Sequence, residues 1–326
     1  MGRIAFLFRT DVHMADRNPP WWKGDYAAEL WASLEQIGKL AETHRVHAVL
    51  DGGDYFHVKS AARNSHAMVA RTADVHRAYP CPTWTIEGNH DLVYNDLDSI
   101  DRQPLGVLYA SGVFKALREE VVESDGLRVR VVGIPYSPKL SLDTVRAVRK
   151  QPGDTHLILL LHALAAQKPP ASLEEIFNEV VLKYEDLITD DGPDCIAFGH
   201  WHRDQGCVQI GRVTFVNPGA VSRGALIKEN LDRAPKVVLI EVTELGVQTT
   251  ELPLQVAPAA DMFDLQRKKH HEDVRKDIDN FVEVLRSNAS ADTSNAIEDQ
   301  VKSLDFADDV RDLALEYLER ASAEAT

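Results

Sequence analysis

Cysteine is scarce: three in 326 residues, at Cys81, Cys195 and Cys207. An odd number without metal-type spacing excludes a disulfide framework and a thiolate zinc site, and fits free thiols in a reducing cytosol. No apolar run approaches the roughly 20 residues that cross a bilayer, so no membrane partner is expected. The stretch from Gly2 to Thr10 holds a short apolar run with one basic residue before it and no small-residue cleavage site. It reads as a buried first strand rather than a signal peptide. Basic charge is also short. Lys and Arg number 36 against 51 Asp and Glu, a formal net charge of −15. That balance lowers the expectation of a nucleic-acid partner without excluding one, because acids that face bound cations are offset.

What is present is ordinary for a globular protein: 44% hydrophobic and 27% charged residues. The length suffices for one large domain and a smaller appendage. Short runs rich in Val, Ile, Leu and Phe recur at 3–8, 46–50, 83–86, 127–134, 156–161, 195–198, 213–216 and 237–242. Their lack of clean alternation suggests strands buried on both faces. Helical spacing fills residues 26–44, with Leu30, Leu34, Ile37 and Ala41 on one stripe, and residues 65–79. A third helix is expected over 172–182, opened by Ser172 and Glu175 in capping-box spacing. Strands alternating with helices early and clustering late predict a layered α/β sandwich.

Composition changes after Leu252. Residues 1–252 read as the main domain, 253–290 as a linker followed by a charged helix over 264–286, and 291–326 as a C-terminal helical segment. Val310, Leu313, Ala314, Tyr317 and Leu318 give that last segment an apolar stripe. The stripe suits either packing on its own domain or a partner.

Five motifs carry the chemistry, and each follows an expected strand: Asp11-Val12-His13; Gly53-Asp54-Tyr55-Phe56-His57; Gly88-Asn89-His90-Asp91; the single His162; and Gly199-His200-Trp201-His202. In an open α/β sheet the C-terminal strand ends line one crevice, so these distant residues can converge. The donors Asp11, His13, Asp54, Asn89, His162, His200 and His202 are nitrogens and hard oxygens. Such donors suit manganese, iron or zinc better than calcium. Seven exceed the needs of one site with an open position, and suffice for two metals bridged by a carboxylate. Asp54, from the middle strand of the set, is the natural bridge. A bridged pair activates water and clamps phosphate oxygens, and His90 beside Asn89 is placed to protonate a leaving oxygen.

In this order the five motifs, over residues 3–242, resemble the calcineurin-like metallophosphoesterase superfamily. The resemblance implies a four-layer α/β/β/α sandwich, here with a small C-terminal helical extension. It further implies that Asp11, His13, Asp54 and His202 hold one metal ion and Asp54, Asn89, His162 and His200 the other. His90 is then the catalytic histidine, and Asn217-Pro218-Gly219 resembles a further turn of the superfamily. The sequence Gly52-Gly53-Asp54-Tyr55-Phe56-His57 is more narrowly similar to the SbcD type of double-strand-break repair nuclease, in its compact, phage-borne form. That narrower resemblance implies manganese as the metal and DNA as the substrate, cleaved both from ends and internally. It also implies an SbcC-type coiled-coil ATPase docked on 291–326, a homodimer through residues 64–79 and 95–109, and a bacterial or phage-infected host cytoplasm.

Several residues keep two readings. His57 is either catalytic or a hydrogen-bond partner of a ligand, and Asp91 either orients His90 or caps a helix. Trp21 and Trp22 either stack on bases or pack, and Arg223 contacts either a phosphate or a carboxylate. The rival functions are a small-molecule phosphodiesterase or phosphoprotein phosphatase of the same superfamily, and a scaffold without catalysis.

Overall fold

A computed structural model describes residues 2–227, 230–231, 233–288 and 315. Two six-stranded sheets dominate it. The first runs β14 (Gly246–Pro253), β13 (Lys236–Thr243), β1 (Ile4–Arg9), β2 (Ala48–Asp51), β3 (Thr83–Thr85) and β4 (Phe114–Ala116). The second runs β11 (Gly206–Ile210), β12 (Val213–Asn217), β10 (Cys195–Gly199), β7 (His156–His162), β6 (Leu127–Ile134) and β5 (Glu119–Ser124). Strands β1 to β4 are parallel, as are β12, β10, β7 and β6. The outer pairs β13–β14, β11–β12 and β5–β6 are antiparallel.

The alternation of side chains along a strand builds the layers. In β1, Ile4, Phe6 and Phe8 face a core between the sheets that also contains Ile158, Leu160, Cys195 and Ala197. Ala5 and Leu7 point the other way, into a core with Leu30, Leu34, Ile37 and Ala41 of helix α1 (Tyr26–His44). On the far face of the second sheet, Leu159, Leu161, Ile196 and Phe198 pack with Tyr184 and Leu187. The result is the expected α/β/β/α sandwich.

Helix α1 keeps the expected bounds, with Asp25 as N-cap accepting from the Ala28 amide and Arg45 in a left-handed C-cap. Helix α2 (His66–Arg77) is capped by Ser65. The helix expected over 172–182 is a correction: it spans only Leu173–Phe177, and Ser172 makes no side-chain capping bond. Asn178 turns left-handed (φ 52°) and ends it.

Two compact units divide the chain at Met262 and Phe263. The described part of the second is chiefly a helix over Leu265–Asn288, opened by the Asp264 carboxylate accepting from the Arg267 amide at 2.9 Å. The expected segment 291–326 lies outside the described residues, save residue 315.

Candidate active site

The strand registers explain why the motifs meet. Arg9 pairs with Asp51 and Asp51 with Thr85, so β1, β2 and β3 end level. Gly199 pairs with His162, so β10 and β7 also end level. The loops beyond these ends are tied to one another. Asp11 and His13 amides donate to the Gly53 and Asp54 carbonyls, each at 3.0 Å, and the Met14 amide donates to the Tyr55 carbonyl at 2.8 Å. The Tyr26 hydroxyl, from the first turn of α1, donates to the His13 carbonyl at 3.0 Å. On the other side the Asn217-Pro218-Gly219 turn closes on the Gly199–His202 loop, with the Ala220 amide 3.1 Å from the His202 carbonyl.

All seven expected donors come together. Donor atoms of Asp11, His13, Asp54 and His202 lie within 4.8 Å of one another, and so do those of Asp54, His162 and His200. Asp54 is common to both groups. Asn89 joins the second, its Oδ1 3.3 Å from His162 Nε2. Asp11, Asp54 and His162 are almost wholly buried.

The electrostatics fit a cation. His13 Nε2 and His202 Nε2 face each other at 2.8 Å, with Asp11 Oδ1 at 3.9 Å and 3.7 Å from them. Burial holds the His13 imidazole well below its usual range and takes that of His202 to about 4, so both rings are neutral and each has one nitrogen lone pair to offer a cation. Burial, with the Asp54 charge, raises the Asp11 carboxyl to about 6. Burial opposes a charge on His162 too, yet Asp54 at 3.5 Å overcomes it and raises the imidazole to about 9. Imidazoles and buried carboxylates that converge in this way form a site able to bind metal, and a cation there would take the place of the proton that Asp54 holds on His162.

His90 is placed beside this cluster. Its Nδ1 lies 2.7 Å from the His57 carbonyl, which can only accept, so Nδ1 carries a hydrogen and Nε2 is the free nitrogen. The His90 amide donates to Asp54 Oδ1 at 2.7 Å. His57 stacks on the His90 ring at 5.3 Å, and its Nδ1 is 3.4 Å from that of His13.

One expectation is corrected, and two residues that kept two readings meet the second of them. Asp91 neither contacts the His90 ring nor caps a helix: its carboxylate accepts from the amides of Gly88, Tyr55 and Phe56 at 3.0 to 3.3 Å. Burial, with the Asp54 charge, pushes that carboxyl well up, against the Gly88 and Phe56 donors. Arg223 is 4% exposed and meets a carboxylate, Glu29 at 3.1 Å, with further bonds to the Ala257 carbonyl and the Met262 sulfur. Trp22 packs edge-on against Tyr26 at 5.1 Å, on the α1 core. Neither Trp22 nor Trp21 lines the cleft of about 840 Å³ beside His13, His57 and His202, which Arg17, Asn18, Arg63 and Asn230 help to form.

Sequence reasoning missed two side chains. Glu179 Oε2 is 3.0 Å from His200 Nε2, and the Tyr136 hydroxyl donates to Glu179 Oε1 at 2.8 Å. Tyr136 lies just past the end of β6, where the strand-end rule would have found it. Glu179 lies in no motif.

Residues 4–204 match the family of calcineurin-like phosphoesterases, so the chain belongs to that family. Over 237 residues it is 25% identical to the DNA double-strand break repair protein Mre11 of Archaeoglobus fulgidus, covering 68% of this chain and 50% of that protein. The chain thus spans about half the length of the curated relative it matches. Similar solved structures include a dimetal phosphatase from Danio rerio, with TM-score 0.49, 12% identity and coverage of 77% of this chain and 99% of that one. Another is the calcineurin-like phosphoesterase YfkN from Bacillus subtilis, with TM-score 0.47, 14% identity and coverage of 79% and 93%. Among the described residues, no helix is long and apolar enough to cross a membrane.

Proposed function

We propose that this phosphoesterase is a metal-dependent DNA nuclease that hydrolyses phosphodiester bonds at ends and internally. The observation that carries the reading is the pair of donor groups sharing Asp54, set beside His90 on an open cleft. Asp11, His13, Asp54 and His202 would hold one divalent cation, and Asp54, Asn89, His162 and His200 a second. The nitrogen-rich donor set suits manganese. When bound, such a pair supplies Lewis acidity for water activation and for the phosphate charge.

The chain's own residues do the rest. Asp91 holds the Gly53–Phe56 and Gly88–His90 loops in one register through three backbone amides. The His57 carbonyl fixes the His90 ring by its Nδ1–H. Nε2 of the protonated ring then faces the site and gives its proton to the departing sugar oxygen. Arg17 and Arg63 on the cleft wall meet the phosphate backbone of a bound strand. The acidic balance elsewhere favours a second protein that engages DNA. An SbcC-type ATPase docked on residues 291–326 fits that need, with a homodimer through residues 64–79 and 95–109. Similarity to the DNA double-strand break repair protein of Archaeoglobus fulgidus supports the substrate.

The experiment is cleavage of end-labelled duplex and hairpin DNA with Mn²⁺ by the natural chain and by His90→Ala, beside a model phosphomonoester. Loss of about 10²- to 10⁴-fold on His90→Ala, with the monoester untouched, is expected. Rapid turnover of the monoester or of a cyclic nucleotide, while DNA survives even with an SbcC-type partner, would replace the nuclease with a small-molecule phosphodiesterase or phosphatase.

A further inference from the structure

We infer that Glu179, backed by Tyr136, is a positioning residue that fixes His200 for the second cation. The inference rests on the two-cation reading above.

An imidazole has two ring nitrogens, and a cation needs the lone pair of one of them. Which nitrogen is available depends on the hydrogen bond that the other makes. His162 shows the arrangement with a backbone partner. Its Nδ1 is 2.7 Å from the Gly52 carbonyl, so Nδ1 holds the hydrogen and Nε2 faces Asp54 and Asn89. His200 has a different partner. Its Nε2 is 3.0 Å from Glu179 Oε2. An ionised carboxylate only accepts, so Nε2 carries the hydrogen. The lone pair falls on Nδ1, which is left to serve the donor group with Asp54 and His162. A carboxylate behind a ligand imidazole also raises its basicity.

Glu179 is itself held. The Tyr136 hydroxyl donates to its other oxygen at 2.8 Å, and the Tyr136 ring lies 5.5 Å from that of His200. The chain before it turns at Asn178 (φ 52°), which brings the carboxylate back toward the sheet end. Two short strands, β8 (Ala165–Ala166) and β9 (Leu182–Lys183), pair at the base of this insertion and close it. The tautomer of His200 is therefore set by an element inserted between the fourth and fifth motifs, and by none of the five.

The test is calorimetric titration of the metal-free full chain with Mn²⁺, for the natural sequence, Glu179→Ala, Glu179→Gln and Tyr136→Phe. The natural chain is expected to take up two ions. In Glu179→Ala one affinity should be unchanged and the other about 10- to 100-fold weaker. Glu179→Gln should recover most of that loss, because the amide oxygen still accepts from Nε2–H, and Tyr136→Phe should fall between. An unaltered two-site isotherm for Glu179→Ala overturns the inference. So does a Glu179→Gln as impaired as Glu179→Ala, which would make the carboxylate a direct ligand. A natural chain that takes up fewer than two ions defeats the two-cation reading first, and is distinguished by needing no substitution to see it.

Discussion

Gly88→Ala is the smallest change that strikes the site. Gly88 has no unusual backbone angle, so conformation is not the obstacle. The obstacle is space. A Cβ there would overlap Asp54 Oδ1 and the Asp54 amide nitrogen, and would stand 2.6 Å from His162 Cε1. Real Cβ atoms essentially never come within 3.0 Å of such neighbours. Backbone and buried ligands surround the position, so no flexible side chain can swing clear. The loop carrying Asn89 and His90 must retreat, or Asp54 must, by roughly 1 Å, and a displacement of that size costs about 10²-fold in rate. Overpacking of this kind costs about 1–3 kcal/mol of stability, or roughly 2–12 °C in melting temperature for a domain of this size. Gly24→Ala is the matched control, since nothing lies within 4 Å of its Cβ position. The assay is Mn²⁺-dependent hydrolysis of bis(p-nitrophenyl) phosphate, with thermal unfolding to show that each variant is folded. A folded Gly88→Ala within about threefold of the natural rate would refute the placement of Asp54 and His162 around Gly88.

Beneath the site, the guanidinium of Arg9 is fully buried against Asp51 at 2.7 Å, His76 at 2.8 Å and Tyr79 at 3.3 Å. Arg9→Met should lose about 3–5 kcal/mol in urea unfolding, because Asp51 is left as a buried unpaired charge, and Arg9→Met with Asp51→Asn should lose less. Equal losses in the single and double variants would show that the pair is not what matters. His76 accepts from Arg9 and donates to the Thr72 carbonyl, and burial, with the Arg9 charge, holds its imidazole well below the usual range. The groups facing it are Arg9, Tyr55 and Tyr79, with Asp51 beyond Arg9. A depressed folded value means that the unfolded chain binds the proton first. The contribution of His76 is then complete above about pH 6.5 and is lost as pH falls below it, by up to about 1.4 kcal/mol per pH unit. His76→Gln keeps both hydrogen bonds and should flatten the slope of stability between pH 6.5 and 5; parallel slopes for the two proteins would remove His76 from the account.

The parts of this molecule that were legible in the sequence share one property: they repeat a simple period over several residues. Strands β1, β7 and β10 are continuous apolar runs because both of their faces are covered. The motifs could be placed because every one follows such a run. Edge strands escaped for the opposite reason. β5 reads Glu119-Glu120-Val121-Val122-Glu123-Ser124, with most positions partly or fully exposed, and β14 is similar, so neither offers an apolar run. The helix over Leu173–Phe177 is shorter than its apolar spacing suggests because the left-handed turn at Asn178 leaves no mark on helical periodicity. Asp91, Arg223 and Trp22 have types suited to chemistry, and their neighbours alone show what they do. Asp91 meets amides, Arg223 meets Glu29, and Trp22 meets Tyr26. Glu179 lies in no motif at all, and only its contact with His200 marks it.

The backbone at the site adds a last consequence. Asp11, His13, Asp54 and His200 all have positive φ, at 54°, 48°, 54° and 97°. Each such residue costs of the order of 1–3 kcal/mol, and only surrounding structure can hold it there. Three of them, Asp11, His13 and Asp54, crowd with His202 into one cluster of two buried carboxylates and two facing imidazoles. Strain and repulsion therefore gather at the sheet ends, and the packed layers on either side offset them. A cation reverses the sign of the electrostatic part, so metal should stabilise the fold as well as serve the chemistry. At a Mn²⁺ concentration of 100 times Kd, linkage gives about 2.7 kcal/mol for each site. That corresponds to a rise of roughly 5–11 °C in melting temperature, abolished by EDTA. Calcium prefers an all-oxygen shell and should give a smaller shift at equal concentration. Equal shifts with both ions would argue for binding at surface carboxylates instead, and no shift with either would mean that the cluster is stable as it stands.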